Sequence, residues 1–278
     1  MSDALRLSPL LTPYLEDGSI REKVQSNDLM TNPLMDLRKG AVQDDRKRLS
    51  TFTTGYLEID FTHGFKYRMN AGAQISYTTV RRYYQQGTSK RKNSSNYAYN
   101  KSETITDWTL EHLLTYDKSI GKHNFNVTGM FSAEEREFSD FIQDYENVPT
   151  NEVGYYGPKT GENHKGDGEF KKWSLLSYMG RLNYDYNQRY YVTATLRADG
   201  SSRLADGNKW QYFPSAALAW NIGNEAFMES TKNILSQLKL RFSYGEVGNT
   251  NVKPYDTMGN MESKKYIFGT NGVLGYYP

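Results

Sequence analysis

The segment Asp199-Gly200-Ser201-Ser202-Arg203 brings a carboxylate, two hydroxyls and a guanidinium together within one short stretch. A catalytic serine needs a neighbouring base, and in many hydrolases it sits in a G-x-S-x-G turn. Here no histidine is close in sequence and the G-x-S-x-G pattern is absent. Asp and Gly instead favour the end of a strand and the start of a turn. We therefore predict a structural turn, in which Arg203 pairs with a carboxylate.

Metal, phosphate and nucleic-acid chemistry are also poorly supported. The four histidines, 63, 112, 123 and 164, show no i, i+4 or H-x-H spacing, and there is no cysteine. "GPKTGENHKGDG" is rich in glycine but lacks the G-K-[ST] ending of a phosphate loop. With 34 basic and 32 acidic side chains, the net charge is too small to favour nucleic acid as a binding partner. We predict no catalytic, metal-binding or cofactor-binding residue, no cofactor and no enzyme.

The stretch that precedes this turn alternates strictly between apolar and polar residues. One set is Tyr190, Val192, Ala194, Leu196 and Ala198; the other is Tyr191, Thr193, Thr195, Arg197 and Asp199. Period-two alternation predicts a β-strand with one apolar and one polar face. Two environments fit it equally well: a packed core and bulk water, or lipid and a water-filled lumen.

Similar alternation recurs from Phe52 onward, with strands of about 12 to 18 residues rather than the usual five or six. The connections are short at 62–64, 119–122 and 187–189, but longer at 81–102, 144–169, 200–209 and 246–263. The exception is 223–236, which is long enough for a turn with a short helix. No run of about 18 apolar residues predicts a transmembrane helix. Long meandering strands with this loop asymmetry are typical of outer-membrane β-barrels. The aromatic girdle would comprise Tyr184, Tyr186, Tyr190, Tyr212, Trp220 and Tyr244.

Several segments resemble consecutive barrel strands of one family. "SYMGRLNYDYNQRYYVTATLRADGSSRL", "NKWQYFPSAALAWNIGNEAFM" and "LSQLKLRFSYGEVGNT" are similar to strands of the SusC/RagA family of TonB-dependent outer-membrane transporters of the Bacteroidota. "NPL" at 32–34, "GYLEIDFTHGFKYRMNAG" and "WTLEHLLTYDKSIGKHNFNVTG" resemble the preceding strands in the same order. The resemblance implies import of oligosaccharides or peptides across the outer membrane, driven through TonB, with a SusD-like lipoprotein over the extracellular mouth.

The residues and the resemblance together predict an all-β fold: an antiparallel meander of about nine long strands forming part of a large transmembrane β-barrel. Residues 1–49 are expected to be an irregular extracellular loop or linker region, and 50–278 a partial barrel. Plugged transporters have about 22 strands, and no signal peptide, TonB box or plug domain is recognisable. We therefore expect an internal barrel fragment, with TonB contacted through a missing N-terminal part. The basic loop 89–96 would meet lipopolysaccharide or solvent.

The alternation also assigns residues to a wet interior. They are Arg68, Gln74, Arg181, Asn183, Asp185, Arg197, Lys239 and Arg241. Solvation of the wall is favoured over direct substrate contact, so the substrate-binding residues stay unknown. Two other interpretations remain open: a surface or secreted glycan-binding β-sheet protein, and a simple porin or adhesin barrel. In the barrel the apolar set faces outward; in a soluble sandwich a second sheet covers it.

Overall fold

The computed structural model describes residues 11–23, 31–231, 234–235, 237–249, 252–259, 262–268 and 271–277. Eight strands form one sheet in chain order, and two further strands pair as a separate hairpin. The strands are β1 (Val42–Asp60), β2 (Phe65–Tyr84), β3 (Tyr97–Ile120), β4 (His123–Glu146), β5 (Glu162–Tyr186), β6 (Tyr190–Ser201), β7 (Trp210–Asn221), β8 (Lys239–Gly245), β9 (Glu262–Phe268) and β10 (Asn271–Tyr277).

The predicted all-β antiparallel meander is confirmed. β2 to β5 are 20 to 25 residues long, well beyond an ordinary globular strand. Among the described residues helical structure is limited to 3₁₀ turns, including Ile222–Asn224 and Ala226–Thr231, where the sequence suggested a short helix. None of the helices that the structure describes is long and apolar enough to span a membrane.

By its internal contacts the chain divides into two compact units. The first consists of Met1–Thr51, Ile75–Ile105 and Phe138–Phe170; the second consists of Phe52–Gln74, Thr106–Glu137 and Lys171–Pro278. The first unit contains the two long loops 85–96 and 147–161, and the second contains the short turns.

In the second unit the register of β5 to β8 fixes which side chains share a face. Across these four strands Tyr184, Val192, Leu218 and Phe242 lie side by side in antiparallel pairing. Because side chains alternate along a strand, this register aligns the apolar sets of all four strands on one face. The polar sets occupy the other face.

The short turns of the second unit lie next to one another, as predicted. Asn187 and Gln188 both have positive φ angles, of 51° and 53°, which suits a tight hairpin turn. The backbone N–H of Asn187 donates to the carbonyl of Lys122 at 2.7 Å. At Gly64, φ is +91°, and a Cβ would lie 2.1 Å from the carbonyl oxygen of Asp117, so this turn requires glycine.

The long loops of the first unit also pack against each other. The Asn96 side chain donates to the carbonyl of Val148 at 2.8 Å and accepts from its N–H at 2.7 Å. Arg91 pairs with Glu146 at 2.6 Å. Beneath them lies a small core of Tyr83, Ala98, Tyr145 and Val148. The two loops predicted at 81–102 and 144–169 therefore share one end, but both are shorter than predicted, because β2 to β5 extend into them and leave 85–96 and 147–161.

The segment before β1 is partly fixed by these loops. Met35 and Ala41 are buried, and Asp36 accepts a hydrogen bond from the backbone N–H of Ser89 at 2.7 Å. β1 begins at Val42, inside the segment that the sequence analysis treats as irregular. The extracellular placement of this segment stays a prediction.

Candidate functional site

The two faces of β6 and of the second half of β7 show a burial pattern opposite to that of a soluble protein, whereas on β8, at the edge of the sheet, both faces are exposed. Leu196 and Leu218 are each 55% exposed, and Phe242 is 72% exposed. The polar residues of β6, including Thr193 and Thr195, are half-buried by their neighbours. The whole set expected to face outward is exposed, namely Tyr190, Val192, Ala194, Leu196, Leu218, Trp220, Leu240 and Phe242.

In the part of the chain that the structure describes, no second layer covers this apolar face. Full burial of one such side chain contributes about 1.5–3 kcal/mol. Leaving only Leu196, Leu218, Leu240 and Phe242 in water would forgo about 6–12 kcal/mol, which is comparable with the whole stability of a typical domain. The prediction that no sheet of the same chain covers this face is confirmed, and the soluble sandwich is not supported.

Aromatic side chains mark two ends of this apolar face. At the short-turn end, neighbouring ring centroids are 4.9 Å apart for His123 and Tyr186, and 6.5 Å apart for Tyr190 and Trp220. At the other end Tyr178 lies 5.3 Å from Phe131 and 5.9 Å from Trp210. At the short-turn end the predicted Tyr186, Tyr190 and Trp220 therefore form a contacting row. The row at the other end consists of Phe131, Tyr178 and Trp210, which were not among the predicted girdle residues.

The spacing of these rows matches the height of a membrane. Tyr178 and Tyr186 on β5 are eight residues apart, as are Tyr212 and Trp220 on β7. Eight residues extend ~26 Å along a strand. At a strand tilt of about 40°, this corresponds to a height of about 20 Å, within the apolar band of about 25 Å in outer-membrane barrels.

Glu225 anchors the aromatic row at the short-turn end. It lies in the β7–β8 connection, is only 9% exposed, and accepts hydrogen bonds from Tyr190 Oη at 2.7 Å and Trp220 Nε1 at 3.0 Å. Arg189 pairs with the same carboxylate at 3.2 Å. The hydrogen bonds from Tyr190 and then Trp220 lower the pKa of Glu225 below its ordinary value, aided by the charge of Arg189. No motif in the sequence singled out Glu225.

The polar face of β5 and β6 carries a lateral hydrogen-bond network. Arg197 donates to Asp199 at 2.7 Å and to Ser177 Oγ at 3.1 Å. Asn183 accepts from Thr193 Oγ1 at 2.9 Å, and Arg181 donates to Thr195 Oγ1 at 3.1 Å. The bond from Arg197 to Asp199 lies within β6, and the other three join β5 to β6 on one side of the sheet.

The remaining predicted residues of β5 and β8 lie on the same face. Asp185 accepts from Asn124 Nδ2 at 3.0 Å, and Lys239 Nζ lies 3.7 Å from the centre of the Tyr191 ring. Arg241 pairs in register with Ala219, and its side chain is exposed. A polar face with both signs of charge can line a water-filled passage.

Arg68 and Gln74 line a concave region of about 750 Å³ on the polar face of β2 to β4. Arg68 pairs with Glu58 at 3.4 Å, and its guanidinium carbon lies 4.6 Å from the centre of the Tyr56 ring. Four further charged residues line this region and were not predicted from the sequence, namely Asp107, Glu111, Glu134 and Arg136. Their alternation was visible, but only the strand register shows that Arg136 meets Asp107, at 3.4 Å.

The Asp199–Arg203 segment has a structural role, but the turn begins later than predicted: β6 continues through Ser201, because Asp199 to Ser201 pair in register with β5, and the turn starts at Ser202. Ser202 Oγ accepts a hydrogen bond from the backbone N–H of Ser174 at 2.9 Å. Arg203 lies 3.7 Å from the centre of the Trp173 ring, a contact that the sequence did not indicate. Among the residues with described positions, no cluster of three potential metal ligands is present.

Comparison with known proteins identifies the family. The family model described as TonB dependent receptor-like, beta-barrel, matches residues 6–272. The chain belongs to the TonB-dependent receptor β-barrel family. TonB-dependent receptor P3 of Formosa agariphila is 29% identical over 99% of this chain and 27% of its own length. TonB-dependent receptor SusC of Bacteroides thetaiotaomicron is 31% identical over 80% of this chain and 21% of its own length.

A solved structure of the RagAB peptide transporter has the same fold as this TonB-dependent receptor barrel chain. The TM-score is 0.80 at 19% identity, covering 95% of this chain and 30% of that chain. The resemblance to the SusC/RagA family is thereby confirmed. The relatives carry names of receptors and transporters rather than enzymes, in agreement with the expected absence of enzymatic activity. The chain spans between a fifth and a third of the length of these relatives.

Proposed function

We propose that this chain forms part of the barrel wall of an outer-membrane TonB-dependent transporter of the SusC type. Such a transporter would import oligosaccharides or peptides. The observation that carries the proposal is the reversed burial on β6, where Val192, Ala194 and Leu196 are exposed while the polar residues between them are half-buried. That pattern suits lipid on one side and water on the other. The family, whose barrels lie in the outer membrane, supports this placement.

The polar face supports passage rather than reaction. Its hydrogen bonds, such as that of Arg181 with Thr195, hold the wall in place without aligning a nucleophile with a base. This face carries charges of both signs, with Asp185 and Asp199 beside several arginines and Lys239, so it favours hydrophilic solutes. Energy would come through TonB, and a SusD-like lipoprotein would close the extracellular side. SusC and the RagAB peptide transporter, as relatives, support these assignments.

The membrane placement can be tested by labelling single cysteines, since the chain contains none. Leu196→Cys and Thr195→Cys are adjacent on β6 and lie on opposite faces. With a nitroxide label in lipid vesicles, the label at 196 should collide with oxygen, which concentrates in lipid. The label at 195 should collide with a water-soluble nickel chelate. Equal accessibility of both labels to the chelate would contradict the placement.

Transport can be tested in the source bacterium. Deletion of the gene should abolish energy-dependent uptake of either fluorescent maltohexaose or a fluorescent peptide mixture, and the affected probe gives the substrate class. A protonophore should reproduce the loss in the wild type, because TonB transmits the proton-motive force. Complementation with the intact gene is the control. Unchanged uptake across a broad panel of both classes would contradict transport.

A further inference from the structure

The first unit contains a cleft of about 310 Å³ against β2, β3 and β4. Among its lining residues are Arg81, Asn100, Phe141, Gln143, Tyr155 and Tyr156. On β2, Arg81 lies on the same side of the strand as Ile75 and Tyr77, which are both exposed. The cleft thus continues the face that carries the exposed apolar residues of this unit.

The loop that supplies the two tyrosines is held firmly in place. The carbonyl of Tyr155 accepts hydrogen bonds from Tyr145 Oη at 2.7 Å and from Asn100 Nδ2 at 3.2 Å. Tyr155 also packs against the buried core of this unit. Gly154, with φ of +51°, forms the turn before it. A binding surface that is already ordered loses little conformational entropy when a ligand binds.

The cleft combines exposed aromatic faces with amide and hydroxyl groups, and it also contains the cations of Arg81 and Lys101. The ring centroids of Tyr155 and Tyr156 are 4.6 Å apart, and Tyr156 is 68% exposed. Phe141, on the same cleft, is 63% exposed. Arg81 Nη1 donates to Tyr156 Oη at 3.2 Å, which orients that ring. The amides of Asn100 and Gln143 offer both donors and acceptors.

These groups match the chemistry of a sugar. The C–H bonds of a pyranose pack on an aromatic face, while its hydroxyls need closely placed donors and acceptors. The guanidinium of Arg81 already bonds a tyrosine hydroxyl, and Lys101 pairs with Glu103 and Asp140, each at 2.9 Å. The cleft therefore does not offer a cluster of free cations to a phosphate. We propose that this cleft is a saccharide-binding site on the outside of the sheet, distinct from the polar wall.

The position of the cleft favours the sugar of a membrane glycolipid over a free oligosaccharide. Arg81 is four residues beyond Tyr77, or ~13 Å along the strand and about 10 Å in height at a barrel tilt of about 40°. If Tyr77 contacts lipid, the cleft is level with the saccharide layer of the outer leaflet. This assignment of the source rests on the proposed membrane placement, whereas the saccharide chemistry rests on the cleft alone.

Calorimetric titration of the purified full chain in detergent tests the site. The probes are the delipidated core oligosaccharide of lipopolysaccharide, lipid A, and maltohexaose. Tyr156→Ala should weaken saccharide binding about tenfold or more, because one exposed stacking face is lost. Tyr156→Phe should retain most of the affinity. The control is Tyr14→Ala, which removes another exposed tyrosine of the first unit, outside this cleft.

Each outcome has a defined meaning. Binding of the core oligosaccharide that is lost in Tyr156→Ala supports the site and assigns it to glycolipid; binding of maltohexaose alone supports the site and assigns it to free sugars. Binding of lipid A alone, no binding of any probe, or equal loss in Tyr14→Ala would overturn the proposal. The lipid contacts of residues 195 and 196 are measured separately, so failure here leaves the transporter proposal intact.

Discussion

Two adjacent alanines of β7 offer a direct measurement of which face meets lipid. Ala216 pairs in register with Ala194 and Tyr244 on the apolar face, and it lies midway between Tyr212 and Trp220. Ala217 points to the polar face. Arginine substituted at each position adds the same side chain to the same strand, so the pair differs only in the environment that the charge enters.

The expected costs follow from the depth of the two positions. The two aromatic ends of the apolar face are separated by a height of about 20 Å, so Ala216 lies near the midplane of the membrane. An arginine that faces lipid at this depth lowers the folding stability by about 2–4 kcal/mol. That cost lowers the folding equilibrium constant roughly 30- to 900-fold. At Ala217 the arginine can extend into water, so the cost should stay below about 1 kcal/mol.

The measurement is guanidinium unfolding of the chain in lipid vesicles, followed by tryptophan fluorescence. The difference between the two variants is the informative quantity, since it cancels any general effect of a longer side chain. A216R should lose its folded state at a much lower denaturant concentration than A217R. Equal midpoints, or a greater loss for A217R, would refute the assignment of the apolar face to lipid.

Three further predictions concern single contacts. Because the pKa of Glu225 is lowered in the folded state, its contribution to stability should be present above the ordinary pKa of 4.5 and disappear as the pH falls through the folded-state pKa. Glu225→Gln should therefore reduce the loss of stability at acid pH, measured by unfolding curves from pH 3 to 7. An unchanged loss of stability in this variant would contradict the assignment. Gly64→Ala should destabilise the protein by more than about 1 kcal/mol, whereas Gly129→Ala, with open space around its Cβ, should be nearly neutral in the same unfolding assay. Asn96→Ala removes the hydrogen-bond partners of the backbone N–H and carbonyl of Val148, which costs about 1–3 kcal/mol of local stability. Amide hydrogen exchange of residues 147–161 should therefore accelerate. Asn93→Ala, at an exposed position, is the control, and equal exchange in both variants would contradict the role of Asn96.

The elements of the fold were predictable because local pattern dictates them. The alternation at 190–199 correctly predicted β6 and the residues on each of its faces, and turn residues correctly predicted the short connection at 187–189. The start of β1 was not predictable in the same way. Its first residues, from Val42 to Arg48, are largely charged, and nothing in them alternates between apolar and polar. They form a strand because β1 pairs with β2 in the sheet, and that partner is distant in sequence from their own local pattern.

Contacts between distant segments were beyond the reach of the sequence. Glu225 lies in a connection without any motif, and only the turn geometry brings its carboxylate to Tyr190 and Trp220. Similarly, Arg136 and Asp107 come from different strands, and their pairing depends on the register of β3 with β4. A residue's own side of a strand can be read from alternation, but its partners require the offset between strands.

Alternation also does not reveal what covers a face, and on β2 the covering changes along a single side of the strand. Tyr77 is 47% exposed, yet Tyr83, six residues further on the same side, is completely buried. The strand is regular throughout, so the change comes from the loop 147–161, which packs beside Tyr83 through Val148. The same alternating pattern is therefore exposed in the part of β2 around Tyr77 and covered by protein in the part around Tyr83. That transition, which is set by a loop rather than by the strand, is the physical reason why the saccharide cleft begins where the exposed apolar face ends.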